Sequence, residues 1–474
     1  MNNEIRAKYD TIYLLPPAVE EWVSADHPAR FIRQVVESLD LDEMGFKGRK
    51  AEVGNPSYSA DLLLKAWLYG LMKGIRTSRK LEAACLDSIA LVWLTGNRAP
   101  DHNTLWRFYR DNKKVFKTLF KKTTRIAADS GLVGMIVQAV DGTKIQAHPS
   151  PVKGQRRDKL TKLLNSLDEF TEEVFEEIES NEARESGEVR LPEELRDPAA
   201  LKQRIEEALR AMDEAGVDHL LPDDPDARMI KMKGKSEFCY NAQAVVDSES
   251  GIIVAEDVVS ECNDNGLLNR MLDEVEENLG DLAMESVADA GYFSAQGLEE
   301  AEERGRNVLV NMENLNCGDG EGEFRAAKFN FDEERDCVVC PLGQDLPFVG
   351  TSPGNKGSRD DRYRVYRCKK RDCPSRLQCT KNKQGRSIKI GKHHAAMVRQ
   401  REKQREPEMR RLLAMRKTIV EPVFGIIKEV FGLRRWSVIG LENVRAVWSL
   451  ICTAFNLKKM YRFWIRGKLK LSTG

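Results

Sequence analysis

The chain of 474 residues has no apolar run near the roughly 18 residues that a membrane-crossing helix needs, so no membrane association is expected. Its opening, MNNEIRAKYDTIY, lacks the apolar centre of a secretion signal, and a cytoplasmic protein is expected. It has no excess of either charge, since 75 Lys and Arg stand against 75 Asp and Glu, which excludes a uniformly basic or acidic protein. It has no internal repeat, which argues against a solenoid. Cysteine is sparse for a disulfide scaffold: ten thiols in a chain of this length and compartment read as free cysteines or a metal site.

What is present is unevenly placed. From residue 356 to the end, 32 Lys and Arg face 9 Asp and Glu. Between Asp168 and Asp224 the balance reverses, with 20 acidic residues against 6 basic. Such asymmetry points to a polyanionic partner for the basic end and a solvated surface for the acidic stretch. The composition, 41% hydrophobic and 32% charged, is that of a globular protein large enough for more than one domain.

Residues 1–130 read as helical. SADLLLKAWLYGLMKG and RTSRKLEAACLDSIALVWLTG carry apolar residues at helical spacing, and in PDHNTLWRFYRDNKKVF Asn103 or Thr104 is the expected N-cap. Arg76, Arg79, Lys80, Arg107 and Arg110 on these helices could meet phosphates. Strand-like runs begin at MIVQAVD and continue through FCYNAQAVVDSESGIIVAEDVVS, MESVAD and NVLVNM, the last two separated by helical patterns. Hairpin strands followed by alternating strands and helices predict a mixed sheet flanked by helices, an α/β fold. Residues 150–235 interrupt it as a helical arm: Leu160, Leu163, Leu164, Leu167, Phe170, Val174 and Ile178 form one apolar face, and Leu201, Ile205, Leu209 and Met212 another.

Two apolar strands end on an aspartate with glycine close behind, Asp141 in AVDGTKI and Asp289 in VADAGYFS. A carboxylate at the tip of a buried strand is held rigidly and is reached from a loop, as active-site groups of open sheets are. Asp247 and Asp257 are rival strand acids, read as structural, and His148 is read as incidental. A third acid, Glu421, lies in MRKTIVEPVFGIIKEVFG, where Lys417, Glu421 and Lys428 share a helix face. Pro422 predicts a kink or a helix start at Glu421.

The segments AVDGTKI, YNAQAVVD, ADAGYFS and RKTIVEPVFGIIK, in this order, resemble the catalytic segments of bacterial insertion-sequence transposases of the DDE class, and LLLKAWLYG with PDHNTLWRF resembles their N-terminal helical domain. The resemblance implies an RNase H-like core at 131–312 and 396–465, a helical DNA-binding or assembly domain at 1–130, and a Cys-rich basic insertion at 313–395. It implies that Asp141, Asp289 and Glu421 hold two Mg2+ or Mn2+ ions, with Lys428, Lys417, Arg416, Arg107 and Arg110 on DNA. In the Tyr–Arg–Glu–Lys signature of many relatives, Glu421 and Lys428 match, whereas Ala414 and Lys417 stand at the tyrosine and arginine positions, with Arg416 as the neighbouring arginine. The implied activity is metal-dependent strand cleavage and transfer on the terminal inverted repeats of a mobile element and on target DNA. The implied assembly is a dimer on DNA, in the bacterial nucleoid. A DNA-binding protein derived from a transposase, without catalysis, is the runner-up.

Cys337, Cys340, Cys368, Cys373 and Cys379 lie within a segment rich in Lys and Arg. Four thiolates suffice for tetrahedral Zn2+, and a CxxC pair followed by a second cluster is a reasonable structural site. Cys340, Cys373 and Cys379 are the first choices, with Cys337 or Cys368 as the fourth.

Overall fold

A computed structural model describes residues 18–48, 57–149, 154–165, 198–232, 234–312, 322–353 and 362–469. The N-terminal part is helical, as expected. Its main helices are α1 (Ala60–Met72), α2 (Ser78–Asp87), α3 (His102–Asn112) and α4 (Phe116–Asp129). Thr77 caps α2, and Asp101, rather than Asn103 or Thr104, caps α3, each side chain accepting a hydrogen bond from a first-turn N–H. The α1 sequence LLLKAWLYGLM is apolar on nearly every side, and Leu63 to Met72 are all buried.

The chain then builds a six-stranded mixed sheet: β1 (Val137–Gln146), β2 (Arg228–Met232), β3 (Lys235–Asp247), β4 (Ile253–Val259), β5 (Glu285–Ala288) and β6 (Val308–Val310). The long β3 pairs antiparallel with β1 on one edge, and with β2 and then β4 on the other. Past β1 the pairing turns parallel, β1 with β5 and β5 with β6. That change follows from the connections, because a tight turn joins β3 to β4 whereas helix α5 (Leu267–Leu279) precedes β5. Asp247 is structural, as expected: it accepts from the N–H groups of Gly134 and Ser250 at 3.1 and 2.8 Å. Asp257 pairs with Arg270 and Arg445.

Two long helices close the fold, α6 (Pro407–Glu429) and α7 (Leu441–Trp464). Helix α6 lies across β1 and β5; α7 packs against β4, α4 and α1. Every residue of β4 is buried. Asn456 of α7 grips the open edge of β4, accepting from Ile253 N–H at 2.8 Å and donating to its carbonyl at 2.7 Å. The edge strand is thereby shielded from further pairing. One continuous apolar core runs from Val23 to Leu469, joining the N-terminal helices, the sheet and α7.

The expected arm is described in part. Leu160, Ile205, Met212 and Leu220 form a small separate core with Leu164 and Leu209, which fits two packed helices. Leu163 is exposed. Leu167, Phe170, Val174 and Ile178 lie outside the described residues, as does the side chain of Leu201. Within the same stretch, β2 returns to extend the main sheet. Residues 330–390 form a second, five-stranded antiparallel sheet around Phe329, Val338, Leu346, Tyr366, Ile388 and Ile390.

Two local expectations are corrected. Strand β1 does not end at Asp141; it continues to Gln146, because β3 keeps pairing with it from Gly142↔Gln243 to Gln146↔Cys239. Nor does a helix start at Glu421, for α6 begins at Pro407 and runs on through Pro422. Pro422 and Thr418 both sit on the exposed side, where water can satisfy the carbonyl that proline leaves unbonded.

Candidate active site

The parallel ladder between β1 and β5 closes at Val140↔Ala288. Asp141 and Asp289 are the next residues on these neighbouring strands, about 4.8 Å apart in the pairing direction. From here β1 goes on alone along this edge, while the other chain turns away into a short 3-10 turn capped by Asp289, whose carboxylate accepts from Gly291 N–H. Asp141 Oδ1 accepts from Gly142 N–H at 2.8 Å.

A cation lies across the pair. Arg416, buried on the inner side of α6, places Nη1 2.5 Å from Asp141 Oδ2 and Nη2 3.6 Å from Asp289 Oδ2. Burial raises the Asp141 carboxyl above its ordinary range; the Arg416 charge and the Gly142 N–H oppose that, and the neighbouring Asp289 adds to it. The guanidinium marks a point where two sets of hard oxygen donors converge on positive charge.

Behind the aspartates lies a polar network. Asp264 Oδ1 accepts from Lys144 Nζ at 2.9 Å, Asn241 Nδ2 at 2.7 Å and Gln243 Nε2 at 2.9 Å. Buried Tyr292, three residues past Asp289, donates to Gln243 Oε1. Gly142 is the residue that lets this network approach. A Cβ there would stand 2.3 Å from Gln243 Nε2 and 3.0 Å from Asp264 Oδ1. Gly142 therefore serves as clearance within the strand. Asp264 was missed in the sequence because it sits in the loop ECNDNG, where no periodic pattern singles out one acid.

Helix α6 divides the remaining candidates. Arg416, Val420, Val423 and Ile427 point inward, whereas Lys417 and Glu421 are exposed. Glu421 lies about 7.5 Å further along the axis than Arg416 and about 140° around it. The helix thus brings Arg416 to the two aspartates and leaves Glu421 on its outer side, with Lys417. Lys428 is half-buried in the last turn. On α3, Arg107 is exposed and Arg110 pairs with Asp111 at 2.9 Å.

Two family models match the chain: one described as "Transposase DDE domain", over residues 339–461, and one described as "Transposase domain (DUF772)", over residues 17–111. Together the two matches indicate a DDE-type insertion-sequence transposase. No curated protein matches it significantly. The first match spans the cysteine segment, α6 and most of α7, and the second most of the N-terminal helices. Asp141 and Asp289 of the transposase lie between the two matched segments. Among the described residues, no helix is long and apolar enough to cross a membrane.

The cysteines of the transposase separate into two environments. Cys340, Cys368 and Cys379 pack at the edge of the second sheet's core. The Cys379 thiol is raised by burial, lowered by Arg386, and raised again by Cys368, Cys340 and Cys373. The Cys337 thiol is instead raised by burial, lowered by Arg335, and raised again by Asp345, Asp332 and Asp336. Among the described residues, no three or more His, Cys, Asp and Glu are arranged so as to hold a metal ion. Cys85, Cys239 and Cys452 are buried packing residues, as expected; Cys262 is exposed, and Cys317 lies outside the described residues.

Proposed function

We propose that the transposase cuts DNA at the terminal inverted repeats of an insertion element and joins the freed 3′ ends to target DNA, with an RNase H-like core doing the chemistry. The observation that carries this reading is the placement of Asp141 and Asp289 side by side where two parallel strands diverge, bridged by one guanidinium. Their donor chemistry fits divalent cations, because hard carboxylate oxygens are what Mg2+ and Mn2+ prefer and a cation already bridges them. Asp141 and Asp289 would hold the ions; Glu421, the expected third acid, lies on the outer side of α6 and would have to be brought round to join them.

Two bound ions would activate the attacking hydroxyl and stabilise the leaving 3′ oxygen. The chain's own part is positional. Strand β1, paired beyond Asp141, fixes one carboxylate, and the Asp289 turn fixes the other. Arg416 neutralises the pair until DNA and metal arrive, when its guanidinium is free to take a scissile-strand phosphate. Lys417 and Lys428 supply further phosphate contacts, as do Arg107 and Arg110 from α3. Joining two element ends calls for a dimer on DNA, in the cytoplasmic nucleoid.

A structural Zn2+ is part of this reading. Cys340, Cys368, Cys373 and Cys379 are its proposed ligands and Cys337 is not, because Cys340, Cys368 and Cys379 share the edge of the second sheet's core; the ion would have to draw the four together, since they form no metal-holding cluster as they stand. Nicking of a duplex carrying the flanking terminal repeats tests the main proposal. Cleavage should need Mg2+ or Mn2+ and vanish in Asp141→Asn, Asp289→Asn and Glu421→Gln while folding is retained. Tight DNA binding without nicking by the wild type would instead leave only a DNA-binding protein.

A further inference from the structure

A cavity of about 210 Å³ lies where α1, the turn before α2, α3, α7 and the loop after α6 meet. Its floor is apolar, from Trp67, Leu71, Leu450 and Ile451, with hydroxyls from Thr77, Ser78 and Ser437. On one wall Trp106 is 44% exposed, open to a ligand that enters the cavity. Tyr109 stacks behind it, ring centroids 5.5 Å apart at 17°, which fixes the indole plane.

The rim is cationic. Arg76 lines the cavity and donates to the Arg435 carbonyl at 3.5 Å. Arg79 and Lys80 follow Ser78, Arg107 follows Trp106, and Arg434 and Arg435 precede Ser437; all five are exposed. An apolar slot with an aromatic wall suits a flat ring, and a cationic rim suits the phosphates on either side of it.

The cavity is also tied to the acid pair. Arg435 donates to Gln146 Oε1 at 2.7 Å, and Trp436 N–H to the Gln146 carbonyl at 2.9 Å. Gln146 ends β1, five residues past Asp141, or about 17 Å along the strand. At about 3.4 Å per nucleotide, the stretch from Asp141 to Gln146 spans about five nucleotides, so a strand laid past both reaches the cavity about that far or further from the acid pair.

We infer that this cavity receives one unstacked base of the bound DNA, stacked on Trp106, several nucleotides from the scissile phosphate, with Arg76 and Arg107 on its flanking phosphates. The inference rests on the proposed DNA cleavage and adds to it a second point of grip that reads strand distortion rather than sequence.

The test uses the full chain and repeat-end duplexes carrying 2-aminopurine at successive positions, in Ca2+ to hold back cleavage. One position several nucleotides from the cut should brighten on binding. Trp106→Ala should abolish the rise and weaken binding about 5- to 100-fold, the range for one lost base–aromatic stack. Trp106→Phe should restore both, and an abasic nucleotide at that position should make wild type and Trp106→Ala bind alike. If nicking is normal yet no position brightens, or Trp106→Ala brightens as wild type does, the inference falls and the cleavage reading stands. If DNA binds and one position brightens without any nicking, the cleavage reading falls and the cavity stands. Failure to bind the duplex overturns both. Altered self-association of Trp106→Ala with unchanged DNA affinity makes the cavity a protein contact and overturns the inference alone.

Discussion

The guanidinium of Arg416 spans Asp141 and Asp289, 2.5 Å from one carboxylate and 3.6 Å from the other. A side chain thus occupies the place between two acids that divalent ions would take, and the two cations compete. In Arg416→Met the free protein should bind Mn2+ about tenfold more tightly than wild type, worth about 1.4 kcal/mol. Adding Asp141→Asn to that variant should remove the gain. Calorimetry without DNA reads both, and unchanged Mn2+ affinity in Arg416→Met would mean that the arginine does not cover the site.

The same substitution carries a pH signature. Burial already raises the Asp141 carboxyl, and Arg416 is the main group holding it down. Without Arg416 the folded-state value climbs further above the unfolded one, so the ionised folded protein is penalised. The stability deficit against wild type should be small where Asp141 is protonated and grow as pH rises through its folded value. Urea titrations should show a loss of about 2 kcal/mol at pH 7.5, less than a fully buried pair because Asp141 is partly open. That loss should shrink toward pH 4.5; one that grows in acid refutes the account.

Gly142→Ala tests the clearance argument. The new methyl would meet Gln243 Nε2, which cannot swing aside without releasing Asn241, Asp264 and Tyr292. The expected cost is about 1–3 kcal/mol, as for overpacking elsewhere. Gly142→Ala with Gln243→Ala should recover only part of it, since the buried Tyr292 hydroxyl then lacks its acceptor. Thermal melts of the three variants decide, and a fully stable Gly142→Ala would exclude the clearance role.

Metal analysis of the purified protein separates the thiols. About one Zn2+ per chain is expected, lost in Cys373→Ser and retained in Cys337→Ser. Equal zinc in both variants, or none in the wild type, removes the proposed site.

Much of the main sheet could be read from the chain because its strands are apolar and end at marked turns, and Asp141 and Asp289 stood out for that reason. The direction of Arg416 was also encoded, in the phase it shares with Val420, Val423 and Ile427, but a charged residue on an apolar stripe is easily assigned to the solvent side with Lys417. The continuation of β1 past Asp141 was hidden, because it depends on pairing with β3 about a hundred residues away. Asp264 and the Trp106 cavity come from the meeting of distant segments, which local patterns do not record.

The single core has a bearing on how such an element can change over generations. The segments matched by two separate transposase families share α7 as a common wall, so neither can be exchanged, trimmed or grafted onto another element without opening the interior of the other. Recombination between related elements is then constrained to replace helices and sheet together. The N-terminal helices and the sheet are inherited as one piece.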